Sequence, residues 1–156
     1  MGIGYDRFHS LLKGGRTRII ATSTNTISYV YEIYNFTGGA HGSTVVYAIT
    51  EDDKQQIIPI EQILPTDKLP KIAKIAEADL KKQKYERMKS YGTMSEKEME
   101  VAQKNDDFLA EGVKPTRENY SVAWYDGDDV VISFGQYQVA SYAEGLFEVR
   151  IKKSEI

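Results

Sequence analysis

The chain has 156 residues, a net charge of -3 and an ordinary balance of 41% hydrophobic and 28% charged residues. That length suits one domain spanning 1–156, with enough apolar material for a core without staples. The near-neutral charge argues against nucleic acid as a partner, the lack of cysteine excludes disulfides and thiolate metal sites, and no apolar run approaches the ~20 residues needed to span a membrane.

In chain order, residues 5–15 predict one short amphipathic helix with Phe8, Leu11 and Leu12 on one face and Gly14-Gly15 at its end. Residues 17–36 are rich in Thr, Ile, Val and Tyr, which is strand composition. Ser23-Thr24-Asn25 is the expected break, and Ile27 to Phe36 carries large residues on both faces. Gly38-Gly39 forces a turn before a strand at 44–50. Asp52-Asp53 makes a second turn and 55–59 a third strand, giving an antiparallel meander over about 17–59. Glu61 to Leu64 reads as a single helical turn.

Residues 66–111 change period. Ile72, Ile75, Ala76, Leu80, Tyr85 and Met88 recur at helical spacing up to Tyr91-Gly92. Ser95 with Glu98 three residues on is a capping box, so a second helix starts there, with Met99, Ala102, Phe108 and Leu109 inward and Gly112 at its end. Residues 68–89 hold eight Lys/Arg against three Asp/Glu, and residues 95–111 hold two against six. This segregation reads either as a basic docking face or as two solvated faces of an antiparallel helical pair. The C-terminal strands, about 119–152, include a hairpin at Asp126-Gly127 and a half-buried strand at 146–152. The fold class is therefore α+β: an antiparallel β-sheet with a central helical pair packed on one face.

Candidate chemistry is sparse. The two histidines, His9 and His41, have no neighbouring set of metal ligands, so neither a metal nor another cofactor is expected. The loop Gly38-Gly39-Ala40-His41-Gly42 lacks the Lys-Ser/Thr ending of a phosphate-binding loop. A hydrolase built on His41 has Ser43, Asp52 and Asp53 nearby in sequence but no nucleophile elbow. Asp52-Asp53, Asp106-Asp107 and Asp128-Asp129 suit turns and helix ends better than a facing catalytic pair. His41 reads structurally as a ring that packs or bonds a nearby carbonyl, and functionally as a ligand reader at a loop tip. The segment 136–145 has two readings as well: a crossover plugging the core with Val139 and Ala140, or a loop presenting Tyr137 and Tyr142.

Two motifs carry a resemblance. Tyr31-Glu32-Ile33-Tyr34-Asn35-Phe36-Thr37-Gly38-Gly39-Ala40-His41-Gly42 is similar to a Tyr-x-Tyr-Thr-Gly-Gly-Ala-His stretch of a family of bacterial extracytoplasmic domains of unknown function. Ile132-Ser133-Phe134-Gly135-Gln136-Tyr137-Gln138-Val139-Ala140-Ser141-Tyr142-Ala143-Glu144-Gly145 resembles that family's C-terminal signature, usually a Tyr-x-Val-Ala-Pro-Tyr-Ala-x-Gly pattern, with Ser141 where proline is usual. The family includes the lysozyme-binding sensor domain of the anti-sigma-V factor and the N-terminal region of a peptidoglycan deacetylase. The resemblance implies a non-catalytic, exported binding or sensing domain. No apolar signal core lies in 1–15, so by the residues alone either the protein is cytosolic or an export segment is missing from this chain; the resemblance implies the second, with export or anchoring through such a segment and no insertion of this chain in a membrane. A lysozyme-like protein is the most concrete partner. A cell-wall glycan, stacked on exposed tyrosines, is the alternative. The expected binding residues are Gly39, His41, Tyr137, Ser141 and Tyr142.

Overall fold

The computed structural model describes residues 15–21 by their backbone and residues 25–156 in full. The helix expected at 5–15 lies outside the described residues except Gly15, which opens β1 (Gly15–Ala21), and His9 also lies outside them. β1 pairs antiparallel with β2 (Thr26–Asn35), β2 with β3 (Ser43–Asp52), and β3 with the two-residue β4 (Ile57–Ile58). Asn25, at φ 47°, stands at the expected break between the first two strands. The Asp52 carboxylate accepts from the Lys54 and Gln56 backbone amides at 2.9 and 2.8 Å, so this acid builds a turn.

The C-terminal strands β5 (Ala123–Asp126), β6 (Asp129–Phe134) and β7 (Phe147–Lys152) form a separate antiparallel sheet, in the order β5-β6-β7. The α+β class holds, with its strands divided between two sheets. Alternation explains how they stack. Trp124 and Val131 turn toward Val30 and Val46 of the first sheet, while Ala123, Val130, Ile132 and Phe134 turn toward the helices. β6 is consequently buried on both faces from Val130 to Phe134. Where the sheets meet, the Ser28 hydroxyl donates to the Tyr125 carbonyl at 2.9 Å and accepts from Thr50 at 2.9 Å, so buried polar groups are satisfied.

The helices are α1 (Ile60–Ile63), α2 (Leu69–Tyr91), α3 (Glu96–Lys104) and α4 (Asp107–Gly112). Leu69, Ile72, Ala73, Ala76 and Leu80 of α2 form one buried stripe against Phe147, Val149 and Ile151. Each fully buried Ile or Leu in that stripe contributes roughly 1.5–3 kcal/mol of hydrophobic transfer. Gly92 ends α2 in a left-handed C-cap.

The second predicted helix is two. Its capping box at Ser95 and Glu98 is formed, but the helix stops at Lys104 and restarts after Asp106. Asp106 accepts from the Leu109 amide at 3.0 Å as an N-cap, which favours a new helix start over continuation. The restart turns Phe108 outward, 45% exposed, where an inward position was expected. Gly112 closes α4 for a different reason than a helix stop: a Cβ there would lie 2.0 Å from the Gln138 carbonyl oxygen. The basic face of α2 also departs from a solvated one. Lys84 is only 6% exposed, and Arg87 donates to the carbonyls of Glu144 and, at 3.2 Å, Leu146.

Candidate functional site

Gly38 and Gly39 sit at φ 93° and 104°, a region that side chains rarely enter, and they reverse the chain between β2 and β3. The Tyr34 ring lies over Gly42, where an added Cβ would come within 2.4 Å of Tyr34 Cζ. This tight turn delivers His41 to the surface at the start of β3.

Opposite it, the chain leaving β6 makes an irregular loop tipped by Tyr137. Gln138 locks the loop base, with its side-chain oxygen accepting from Gly135 N at 2.9 Å and its amide donating to the Asn119 carbonyl at 2.8 Å. Gln136 joins the loop to β3 by accepting from Thr44 N at 2.9 Å. Tyr137 is thereby held at φ 63°, a strained backbone for a bulky residue, with its ring 50% exposed. Val139 and Ala140 then plunge into the core, and Tyr142 returns to the surface in a short 3₁₀ turn, Tyr142–Glu144. One loop thus buries Val139 and Ala140 in the core and leaves Tyr137 and Tyr142 at the surface.

His41 and the loop meet across 96 residues of sequence: Tyr137 Oη lies 3.0 Å from His41 Nε2. The His41 Nδ1 lies 3.1 Å from the Gly42 carbonyl oxygen. A carbonyl only accepts, so Nδ1 donates there, and the second ring nitrogen shares a hydrogen bond with the tyrosine hydroxyl. Tyr142 stacks on the imidazole at 3.7 Å between centroids and 21° between planes. Tyr137 and Tyr142 stand 5.9 Å apart at 38°. These three rings crown a cleft of about 350 Å³ whose apolar walls include Val45, Val46 and Val122.

Gly39 shapes the turn without lining this cleft. Ser141 faces elsewhere: its N–H and hydroxyl donate to Glu144 Oε1 at 3.2 and 3.3 Å, and it lines a second cleft beside Lys84 and Asp106. Sequence reasoning missed the residues that fix the loop, namely Gln136, Gln138, Lys84 and Arg87. Glutamines flanking Tyr137 were the one visible signal; the reach of Lys84 to the Val139 carbonyl at 2.8 Å had none.

Among the described residues, the two imidazole nitrogens bond to Gly42 and Tyr137 rather than to a serine. Among the described residues, no group of three or more His, Asp or Glu side chains is placed to hold a metal, and no helix is long and apolar enough to cross a membrane.

Residues 61–154 match the family described as "Protein of unknown function (DUF3298)". The chain is 32% identical over 140 residues to peptidoglycan-N-acetylmuramic acid deacetylase PdaC of Bacillus subtilis (strain 168), covering 88% of this chain and 27% of that protein. It therefore spans about a quarter of its curated relative. Two crystal structures share the fold. One is a DUF3298 family member from Bacteroides fragilis, with a TM-score of 0.61 at 20% identity over 90% of this chain and 51% of that one. The other is a DUF3298 family protein from Pseudomonas aeruginosa PAO1, with a TM-score of 0.56 at 14% identity over 97% and 65%. The chain belongs to the DUF3298 family.

Proposed function

We propose that this chain is a non-catalytic binding or sensing domain of the bacterial cell envelope, exported, whose His41–Tyr137–Tyr142 surface recognises a lysozyme-like protein. The observation that carries this reading is the ring cluster itself. Tyr137 and Tyr142 are rigid, partly exposed and fixed by a histidine and two glutamines whose own contacts are set by the fold. Pre-positioned tyrosines supply contact area at little entropic cost, which is the economy of a protein-binding surface. The envelope location draws on the relative whose name places its activity on peptidoglycan. That activity is the relative's; here the imidazole is tied up in holding the surface together.

The exposed Tyr137 ring also supports a second reading, in which the surface stacks on a cell-wall glycan. Trp124, fully buried between the sheets, takes no part in such a platform. Calorimetric titration separates the two. A protein-recognition surface gives saturable heat with a lysozyme below about 100 µM, equivalent to ~5–6 kcal/mol. Heat with soluble peptidoglycan fragments, and none with any lysozyme, favours the glycan.

A further inference from the structure

Side chains on β6 alternate between its two faces. Val131 turns toward the first sheet, where Trp124, Val30 and Val46 fill the space around it. Ser133, two residues on, turns the same way, but there the space is open: it lines the 350 Å³ cleft beneath the three rings. Ser133 is only 5% exposed, and among the described residues its hydroxyl has no hydrogen-bond partner. Nor is the oxygen closed off within the protein, so it faces the cleft. A buried hydroxyl left this way forfeits the bonds it makes in water, unless something entering the cleft restores them.

A second polar group stands free beside it. A backbone N–H only donates, so Thr44 N takes the side-chain oxygen of Gln136 and leaves the Gln136 amide nitrogen as the end without a partner among the described residues. One spare donor and one hydroxyl, which donates or accepts, are thus set among Val45, Val46 and Val122. No Asp, Glu, Lys or Arg lines the cleft, which favours an uncharged occupant. Its volume falls at the small end of sites that hold small molecules.

An acetamido group on a sugar matches these features. Its carbonyl accepts from the Gln136 amide, its N–H donates to the Ser133 hydroxyl, and its methyl packs on the valines. The sugar ring then lies at the mouth, with its C–H face against the half-exposed Tyr137 ring. We propose that this cleft is a subsite for an N-acetylated amino sugar that carries no acidic substituent, read by Ser133 and Gln136. The proposal deepens the glycan reading of the ring surface and rests on it.

The probes are three β-1,4-linked trisaccharides, of N-acetylglucosamine, glucosamine and glucose, titrated into the intact chain and followed by the amide resonances of Ser133 and Gln136. The expected result is saturation by the N-acetylated sugar below about 1 mM, with the other two at least about tenfold weaker. The ammonium of glucosamine meets no counter-charge in the cleft, and glucose has no amide to pair. Ser133→Ala weakens the N-acetylated sugar about fivefold or more. It leaves the urea midpoint of the free chain no lower than the parent's, because the hydroxyl holds nothing there; a hydroxyl with a structural role would lower it. Three sugars bound alike, an N-acetyl preference untouched by Ser133→Ala, or a lowered midpoint each overturns the subsite. Equal binding of all three that disappears in Tyr137→Ala/Tyr142→Ala sinks the subsite and keeps the glycan-stacking surface. No binding of any sugar up to about 10 mM sinks both.

Discussion

Lys84 Nζ lies 2.8 Å from the Val139 carbonyl oxygen, 55 residues away in sequence. The same ammonium meets Asp106 at 2.5 Å and stands 3.9 Å from Glu144, with its side chain 7% exposed. One buried cation thus ties α2 to the N-cap of α4 and to the loop that displays Tyr137 and Tyr142.

Breaking that tie is expected to be expensive. Lys84→Met leaves the largely buried Asp106 carboxylate with the Leu109 amide but without its cation, and costs up to about 3–5 kcal/mol in urea unfolding. The double variant Lys84→Met/Asp106→Asn costs less than the sum of the two single changes, because each single change strands the other partner. Additive losses would contradict a coupled pair.

Two glycines give opposite outcomes. Gly112→Ala drives a Cβ into the backbone oxygen of Gln138, which cannot yield without moving the loop, so it costs about 1–3 kcal/mol. Gly42→Ala meets only the end of the Tyr34 ring, which is 56% exposed and free to swing, so its melting temperature stays close to that of the parent. Differential scanning calorimetry of both variants checks the contrast.

Ser141 stands where the related motif has proline, and its backbone at φ -64° and ψ 161° already suits one. Ser141→Pro loses the exposed bonds from Ser141 N and from its hydroxyl to Glu144 but restricts the unfolded chain. These two effects, each about 0.5–1 kcal/mol, oppose one another. The expected change in unfolding free energy is close to zero, and a large loss would mean that the Ser141–Glu144 bond sets the loop.

The Ser95–Glu98 capping box carries a pH signature. Hydrogen bonds from the Ser95 backbone and then its hydroxyl hold the Glu98 carboxyl below its usual 4.5. A carboxylate lowered in the folded state adds stability that is fully present above the unfolded value and fades as pH falls through the folded one. The amides at the start of α3 therefore exchange faster as pH drops below about 4.5, after correction for intrinsic rates. Glu98→Gln removes that dependence.

Local rules made much of the fold legible. Ser95 and Glu98 announced their helix, Asp126-Gly127 its hairpin, and Phe147, Val149 and Ile151 their buried face. What stayed hidden depends on partners far along the chain. Asp106 reads as one more helix residue until it caps α4 beside Lys84, and Lys84 reads as solvated until its own partners appear. The strands could be named but not sorted into two sheets, because Trp124 and Val131 meet Val30 and Val46 only through long-range packing. The motifs holding His41 and Tyr137–Tyr142 were both visible; their union across 96 residues was not.

The ring cluster as a recognition surface is tested most directly by titrating lysozymes into the parent chain and into Tyr137→Ala/Tyr142→Ala, with folding of both verified. Saturable binding to at least one lysozyme tighter than about 100 µM, weakened at least about tenfold in the variant, is the predicted result. No heat with any lysozyme, or equal affinity in the two chains, would contradict it.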